Sequence, residues 1–461
     1  MKKDLKNDND TIAAISTPPG EGAIGIVRLS GNHVYRILRD VFLPAKPRHQ
    51  YQSHRLYYGA IIDESNNIID QVMIAFMKAD KTYTGEDMLE IYTHGGSNTV
   101  HAVLQRVIKA GARLAERGEF TRRAFLNGKM DLLQAEAVLD LVKADTDIAR
   151  KQAINQITGL LSRFVGSIRE KLIEVKTHIE VMIDFPEDDV SPKQWDDLKL
   201  ILQATHDEVI HVLKTYDHAK IIKDGIHIAL VGKPNVGKSS LFNAIIGENR
   251  AIVTPHPGTT RDYIEEAIEY KGIKLVFADT AGIRSSDEPI EKIGIEMTKS
   301  LIDKTDMIVI VVDPTTGEDF DSELSLADKY RERVIIAINK IDIASPSDLE
   351  RAKTMFKAFS VFHVSAKTQE GIEYLKQGIT EPQRIPSIEN TPVINRYRHK
   401  QALERIEVSL RKAMELIDQQ AFPEIIAEEV DGAIAELGEL TGEITSQDIL
   451  DKIFSEFCIG K

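Results

Sequence analysis

The stretch IHIALVGKPNVGKSSLFNAII, residues 226–246, decides the fold of the central part of the chain. Its first six residues are mostly apolar and predict a strand, residues 232–239 fit the pattern GxxxxGK[ST], and the segment that follows predicts a helix. In this context the glycines allow backbone N–H groups to close on a β-phosphate, and Lys238 can neutralise the β and γ oxygens. The Ser239 hydroxyl is suited to Mg²⁺. The competing interpretation, a glycine-rich turn that only connects two elements, is disfavoured by the flanking strand and helix.

The same stretch belongs to a region, residues 221–380, in which apolar strands alternate with helical segments. The strand segments are IHIALVG, KLVFADTAG, MIVIVVD, RVIIAINKID and VFHVSAK. This alternation is typical of a mostly parallel sheet with helices on both faces. We therefore predict a Ras-like, doubly wound P-loop domain of the α/β class.

Two motifs after later strands of this region concern the nucleotide base. Asn339, Lys340 and Asp342 form an NKxD sequence, and SAK follows the next strand at residues 365–367. The Asp342 carboxylate can accept hydrogen bonds from the N1–H and amino edge of guanine, whereas adenine has no proton at N1. Guanine is therefore preferred, and an ATP-dependent P-loop enzyme is the disfavoured alternative. The ordered set of motifs is similar to that of GTPases of the translation-factor class.

The segment DTAGIRSSDEPIEKIG, residues 279–294, resembles a γ-phosphate motif without its usual partner. In Ras-type proteins a glutamine follows this motif and orients the attacking water. Here the next residue is Ile283, whose aliphatic side chain can neither accept a proton nor hold a water. Asp287, Glu288 and Glu291 are the nearby carboxylates that can replace the glutamine, and each can equally be a solvated acid of the loop.

The flanking regions have a different hydrophobic period. Residues 1–124 mix short β-rich runs, such as GIVRLSG and MLEIYTH, with glycine and proline turns and one predicted helix, NTVHAVLQRVIKAG. Residues 125–220 and 381–461 carry long segments of 3.6 period, and neither offers a closed core alone. We therefore predict a multidomain α+β and α/β protein: an N-terminal α+β domain, and a helical domain built from both flanks into which the α/β domain is inserted.

Composition agrees with several packed domains. The chain has 461 residues, of which 42% are apolar, and 58 basic against 72 acidic residues give a formal net charge of −14. A basic surface over the whole molecule is excluded, so any nucleic-acid contact must rest on local clusters. The single cysteine, the polar start and the lack of a long apolar run predict a cytoplasmic protein without membrane contact. The histidines His206, His211 and His218 lack the spacing of a metal site.

Outside the nucleotide motifs, several stretches resemble one family. TPPGEGAIGIVRLSG, TGEDMLEIYTHGG, GEFTRRAFLNGKMDLLQAEAV, IDFPEDD and the FCIGK at residues 457–461 are similar to the bacterial tRNA wobble-uridine modification GTPases called MnmE or TrmE. The resemblance covers essentially the whole chain.

This resemblance implies a homodimer with potassium-stimulated GTP hydrolysis. It also implies that, with a tetrahydrofolate one-carbon unit, an aminomethyl-type (carboxymethylaminomethyl) group is added to C5 of the wobble uridine of tRNA. FAD is expected only on a partner subunit of the MnmG or GidA type, which agrees with the lack of a GxGxxG motif opening a βαβ unit in this sequence. The alternative is a regulatory GTPase that binds RNA or ribosomes and catalyses hydrolysis alone; folate binding discriminates between the two.

The resemblance also implies roles for individual residues. Glu291 would orient the attacking water, and Lys238 would be a second catalytic residue. Potassium would replace an arginine finger. From the residues alone, an ordinary switch loop with Thr260 on magnesium and no potassium would be preferred. The implied metal ligands are Ser239 and Thr260 for magnesium, and Asn235, Thr254, His256 and Thr259 for potassium. The implied GTP contacts are Asn235, Val236, Gly237, Lys238, Ser239, Ser240, Thr254, Thr259, Thr260, Asp279, Thr280, Ala281, Gly282, Asn339, Lys340, Asp342, Ser365, Ala366 and Lys367. The implied folate contacts are Arg28, Glu90, Lys129 and Lys461.

Two further features stay open at the level of sequence. Cys458 can be a nucleophile at the modification centre if a nearby cation such as Lys461 favours its thiolate, or a small apolar anchor of the segment. Two basic clusters can contact tRNA phosphates, although a solvated helix face is the competing interpretation of each. They are Arg122, Arg123 and Lys129, and Arg396, Arg398, His399 and Lys400 with Tyr397.

Overall fold

The computed structural model describes residues 10–184, 192–247, 265–278, 302, 305–317, 319–381 and 391–461. The chain divides into two compact units. The first unit consists of Met1–Val142, Asn155–Val209 and Gln401–Lys461, and the second, called the P-loop unit below, consists of Lys143–Ile154 and Ile210–Lys400. The domain boundaries at residues 124, 220 and 380 stay predictions from the sequence.

The first unit begins with a seven-stranded sheet. Its strands are β1 (Thr11–Ile15), β2 (Ile24–Gly31), β3 (Phe42–Pro44), β4 (Arg55–Ile62), β5 (Ile68–Met77), β6 (Met88–His94) and β7 (Arg113–Leu114). The accompanying helices are α1 (Val34–Val41), α2 (Ser97–Lys109) and α3 (Glu119–Leu126). The strand order is β3-β4-β5-β6-β2-β1-β7, and neighbours are antiparallel except for the parallel pair of β1 and β7.

The two faces of this sheet have different surroundings, because successive side chains of a strand point to opposite faces. On one face, Val27 of β2 and Ile91 of β6 pack with apolar residues of α1 and α2 in a buried core. At one end of the other face, Phe120 of α3 packs on Ile12 and Met88. The rest of this second face, called the open face below, carries partly exposed side chains of β2, β4, β5 and β6.

Four helices follow. They are α4 (Leu132–Lys143), α5 (Asp147–Ile157), α6 (Leu160–Asp184) and α7 (Pro192–Leu213). Helix α6 buries a stripe of residues three or four positions apart, as an amphipathic helix does. The stripe consists of Leu161, Val165, Ile168, Leu172, Val175 and Ile179.

The P-loop unit contains the predicted α/β sheet. Its elements are α8 (Tyr216–Asp224), β8 (Ile226–Val231), α9 (Lys238–Ile246), β9 (Glu265–Tyr270), β10 (Ile273–Ala278), β11 (Met307–Val312), α10 (Asp321–Lys329), β12 (Val334–Ile338), α11 (Pro346–Met355), β13 (Ser360–His363) and α12 (Ile372–Thr380). The sheet order is β13-β12-β11-β8-β10-β9, and neighbours are parallel except for β9 and β10.

Both faces of this sheet are buried. On β11, Val309 packs with residues of α9 and α12, whereas Ile308 packs with residues of α10 and α11 on the other side. Helices therefore cover both faces, and the doubly wound fold predicted from the sequence is confirmed.

Helices of the first unit resume after the P-loop unit. They are α13 (Tyr397–Asp418), α14 (Pro423–Thr441) and α15 (Gln447–Ser455). Helix α14 packs along α6, and Phe454 of α15 packs on Phe125 of α3 and Leu132 of α4. Among the described residues, no helix combines the length and apolar character needed to cross a membrane.

Candidate functional site

The P-loop has a backbone that requires glycine at its two ends. Gly232 directly follows the strand β8 with φ of 153°, and a Cβ there would lie 2.3 Å from the carbonyl oxygen of Val311. Gly237, with φ of 96°, caps α9, and its Cβ would lie 2.3 Å from Nδ2 of Asn339. A side chain at either position would therefore collide with a neighbouring strand end or loop.

The Lys238 side chain lies across this loop. Its Nζ donates hydrogen bonds to the carbonyl oxygens of Gly232, at 2.9 Å, and Lys233, at 2.7 Å. The ammonium is therefore held beside the loop amides, where it can meet the charge of a phosphate.

Asn339 connects the P-loop with two other predicted motifs. It is 1% exposed; its Nδ2 donates to the carbonyl oxygen of Val236 at 2.9 Å, and its Oδ1 accepts from the backbone N–H of Ala366 at 3.1 Å. The residues of GKPNVGKS, NKID and SAK are therefore brought together by one buried amide.

Lys340 pairs with Asp313, an acid that belongs to none of the nucleotide motifs. Its Nζ lies 2.6 Å from Oδ2 of Asp313 and donates to the carbonyl oxygen of Asn235 at 2.9 Å. Burial alone would raise the pKa of Asp313, but hydrogen bonds from Lys340 and Thr315 outweigh it and lower the pKa below its ordinary value. Asp313 directly follows the buried strand β11. Ligands of open α/β sheets bind at the carboxyl ends of the strands, so this position in the sequence could have identified Asp313 as a site residue.

A cavity of about 650 Å³ opens beside these loops. Its lining residues are Gly237, Ser240, Asn243, Ala244, Asn339, Lys340, Asp342, Ile343, Ala366, Lys367 and Gln369. Ser365 donates to one carboxylate oxygen of Asp342 at 2.7 Å, which fixes the side chain at the cavity. A fixed carboxylate can accept the two N–H donors of a guanine edge. Asn243, Ala244, Ile343 and Gln369 carry no motif, so the sequence offered no signal for them.

Several predicted site residues lie outside the described residues. They are Thr254, His256, Thr259, Thr260, Asp279, Thr280, Ala281, Gly282 and Glu291, together with the alternatives Asp287 and Glu288. Of the remaining metal candidates, Asn235 and Ser239 are both exposed, and Asn235 has a positive φ of 62°.

A second cluster of functional candidates lies on the open face of the first sheet. Arg28 and Glu90 are directly opposite each other on β2 and β6. The Nε and Nη2 atoms of Arg28 donate to Oε1 of Glu90, at 3.0 and 2.8 Å. The remaining Nη1 donates to the carbonyl oxygen of Gly460 at 3.4 Å, which brings the FCIGK segment to this pair.

The FCIGK segment is fixed by its backbone and by one aromatic side chain. Phe457 is 2% exposed, the N–H of Gly118 donates to the carbonyl oxygen of Cys458 at 3.4 Å, and Ser16 donates to that of Gly460 at 3.2 Å. The Cys458 side chain is exposed, which opposes its interpretation as a small apolar anchor of the segment. Phe457, not the thiol, does the anchoring.

The cations around this segment differ in their surroundings. Lys461 is half-buried, and its pKa is lowered by burial and then by the charge of Arg28, against a smaller opposing effect of Cys458. Lys129 instead donates to the carbonyl oxygen of Asp80 at 2.6 Å. The structure thus brings Arg28, Glu90 and Lys461 together, and gives Lys129 a different partner.

The first predicted basic cluster is not a free patch of charge. Arg123 is 9% exposed and contacts the carboxylates of Asp10, Glu86 and Glu119, at 2.6, 3.1 and 3.0 Å. Arg122 lies 3.2 Å from Asp451. These arginines therefore neutralise acids of their own unit.

The second predicted basic cluster is mixed in its exposure. His399 is 2% exposed, while Tyr397 is 62% exposed, and the Nζ of Lys400 lies 4.8 Å from the centre of the Tyr216 ring. His399 is therefore buried and Lys400 is packed on an aromatic ring, whereas Tyr397 remains at the surface.

Two family models match this chain. A family model described as the MnmE helical domain matches residues 132–458, and one described as the N-terminus of the GTP-binding protein TrmE matches residues 11–129. The tRNA modification GTPase MnmE of Acetivibrio thermocellus is 41% identical over 455 residues, covering 98% of this chain and 99% of that protein. The tRNA modification GTPase MnmE of Clostridioides difficile is 42% identical over 460 residues, with the same coverage.

Among solved structures, the G domain of the FeoB iron transporter of T. maritima is 29% identical, covers 34% of this chain and 97% of that one, and has a TM-score of 0.26. The two family models and the full-length relatives extend over both units. The chain therefore belongs to the MnmE (TrmE) family of tRNA modification GTPases.

Proposed function

We propose that this tRNA modification GTPase is stimulated by potassium and, together with an FAD-dependent partner subunit, adds a carboxymethylaminomethyl group to C5 of the wobble uridine. A tetrahydrofolate one-carbon unit supplies the methylene carbon bonded to C5, and an amine donor supplies the remainder of the group. The observation that carries this proposal is the cluster of Arg28, Glu90 and Lys461 on the open face. A chain that only hydrolysed GTP would need no such site, so the cluster opposes the regulatory alternative.

At the P-loop, the proposed roles follow from charge and donor type. Lys238 neutralises the phosphates, and Asp342 accepts the guanine edge. Ser239, with Thr260, would hold magnesium, and Asn235, with the segment 254–259, would hold potassium. The hydroxyl and amide oxygens of Ser239 and Asn235 are exposed and of the hard type that both cations prefer.

Potassium dependence has a direct test. GTP hydrolysis in KCl should exceed hydrolysis in NaCl at equal ionic strength, and Asn235→Ala should remove the difference. Equal rates of the parent protein in the two salts would eliminate the potassium part of the proposal.

The residues of the open face fit a folate. Glu90 can accept hydrogen bonds from the amino-bearing edge of a pterin, while Arg28 and Lys461 can attract the carboxylates of a glutamate tail. Lys129 is a further cation on the same unit that we assign to this ligand. The exposed thiol of Cys458, beside Lys461, is free to act as a nucleophile at this centre.

The proposal also states that the protein is a homodimer, binds tRNA and is cytoplasmic. The open face carries three exposed apolar side chains: Leu56 and Tyr58 are both 58% exposed, and Met73 is 44% exposed. They support pairing of two N-terminal sheets. Tyr397 and its basic neighbours support contact with tRNA phosphates.

Nucleoside analysis of tRNA tests the whole proposal. Cells that lack the protein should lose the 5-substituted wobble uridine, the parent gene should restore it, and Cys458→Ser should restore GTP hydrolysis without restoring the modification. Normal nucleosides in the deletion strain, together with the lack of folate binding in the purified protein, would favour a regulatory GTPase.

A further inference from the structure

Tyr92 contacts the proposed folate cluster, although no motif or resemblance singled it out. Its hydroxyl donates to Oε2 of Glu90 at 2.7 Å. Both residues are on β6, two positions apart, so they share the open face of the sheet. The ring also faces Met73 on β5 and Ile26 on β2 in the strand register.

The Glu90 carboxylate is therefore held at both oxygens. The Nε and Nη2 atoms of Arg28 donate to Oε1, at 3.0 and 2.8 Å, whereas the hydroxyl of Tyr92 donates to Oε2. The last torsion of a glutamate is broad, so a carboxylate held at a single oxygen can turn about it. The second contact restrains this rotation.

The restrained carboxylate still has accepting capacity. A carboxylate offers about four acceptor positions, and three donors among the described residues reach it. The side chains of Arg28 and Glu90 are 22% and 17% exposed, so a ligand can approach them from the open face. The plane of the carboxylate then decides which direction a ligand donor must take.

We propose that Tyr92 is a positioning residue that holds the Glu90 carboxylate in one plane and thereby sets the preference of the site for the amino-bearing edge of a pterin ring. This inference rests on the proposed folate site. Burial, together with the hydrogen bond and the charge of Glu90, raises the pKa of Tyr92 to about 12. The hydroxyl therefore remains a donor throughout the pH range in which the protein would be assayed.

Calorimetry on the full chain tests this role with two probes: 5-formyltetrahydrofolate and its 2-desamino-2-methyl analogue, which lacks the amino donor. Tyr92→Phe keeps the ring and removes the hydroxyl. It should weaken binding of 5-formyltetrahydrofolate about tenfold, as expected for a hydrogen bond to a charged group, while the affinity for the analogue changes by less than about twofold.

Tyr57→Phe is the matched control. Tyr57 is on β4 of the same sheet but lies in the buried core on the opposite face, and its hydroxyl accepts from the backbone N–H of Gln52 at 2.8 Å, away from Glu90. This variant should bind both probes as the parent does, and GTP hydrolysis should be unchanged in both variants.

The outcomes separate this inference from the proposed function. If the parent binds 5-formyltetrahydrofolate and Tyr92→Phe binds it equally well, Tyr92 has no positioning role, while the folate site stands. An equal loss of affinity for both probes indicates general damage to the face and also overturns the inference. A parent protein that binds neither probe removes the folate site and the role of Tyr92 with it.

Discussion

At the scale of single residues, Asn339 explains why its motif requires an amide. The side chain uses its donor on Val236 and its acceptor on Ala366, at a position without access to water. An aspartate would lose the donor and bury an unpaired charge, and a leucine would lose both contacts. Asn339 therefore maintains the shape of the cavity that it lines, and in the proposed function base recognition belongs to Asp342.

Asp342→Asn should change the base preference from guanine toward xanthine. The new amide N–H can donate to the C2 oxygen of xanthine. In guanine the same position carries an amino group, which is also a donor, so the two groups cannot form a hydrogen bond. We expect GTP affinity to fall about tenfold or more, and xanthosine triphosphate to bind better than GTP. Competition between the two nucleotides measures this. Unchanged selectivity for GTP would show that Asp342 does not recognise the base. Lys367→Ala is the control, because it alters the same cavity and leaves the Asp342 carboxylate in place.

Glu291→Ala tests which residue takes the role of the glutamine of Ras-type proteins, because Ile283 stands at the position of that glutamine. If Glu291 orients the attacking water, the variant should hydrolyse GTP about 10²- to 10⁴-fold more slowly while it binds GTP nearly as well, since the interaction is made in the transition state. Single-turnover hydrolysis in KCl, beside nucleotide affinity, measures both effects. Glu288→Ala is the matched control, and a near-parental rate for Glu291→Ala would shift the role to another acid.

At the scale of elements, a charged cluster joins the start of β1 to β7 and α3. Glu119 accepts from Arg113 at 2.7 Å and from Arg123 at 3.0 Å, and Asp10 contacts both arginines. Burial raises the pKa of Glu119, but the hydrogen bonds from Arg113, from the Glu116 backbone and from Arg123 outweigh it and give a net lowering. The charged form of Glu119 therefore stabilises the packing of α3 on the sheet edge.

Glu119→Gln should weaken the first unit at neutral pH and reduce its sensitivity to acid. A carboxyl whose pKa is lower in the folded state stabilises the protein above its unfolded pKa of about 4.3, and this contribution is lost as the pH falls through the folded pKa. We expect a loss of about 1–3 kcal/mol at pH 7, and a smaller decline of the melting temperature between pH 6 and pH 3 than in the parent. Glu170→Gln, at an exposed site on α6, is the control and should be as stable as the parent at pH 7. The same stability for Glu119→Gln would contradict this account.

The elements also show which features the sequence could predict. The strands of the P-loop unit are buried on both faces and so are continuous apolar runs beside recognisable motifs, which makes them easy to identify. The runs IAAIS, GIVRLSG, QVMIAFMKA and MLEIYTH predict β1, β2, β5 and β6, but no run predicts β4. In β4, Leu56 and Tyr58 are exposed on the open face and Gly59 and Ala60 follow, so the expected alternation is absent. The contact of Arg28 with Glu90 depends on the register of β2 with β6, and the register is fixed by pairing that no local pattern specifies.

At the scale of the whole molecule, the open face predicts the mass of the protein in solution. If two chains pair through this face, light scattering at micromolar concentration should give twice the mass of one chain, and Met73→Glu should give monomers, because a carboxylate buried in an apolar interface costs several kcal/mol. Leu200→Glu changes an exposed apolar residue on α7 and should remain dimeric. A monomeric parent, or a dimeric Met73→Glu, would place the interface elsewhere.

The contact of Arg28 with Gly460 spans 432 positions of the chain, and this has a consequence for biosynthesis. At about 5–20 residues per second, the ribosome makes Gly460 about 20–90 s after Arg28. By the end of that interval the N-terminal sheet and the P-loop unit are already synthesised, while Ser16 and Gly118 still lack the partners that FCIGK supplies. A nascent chain can therefore possess its nucleotide site before FCIGK reaches Arg28, so in the proposed function the nucleotide site and the folate site first coexist only after residue 460 has been made.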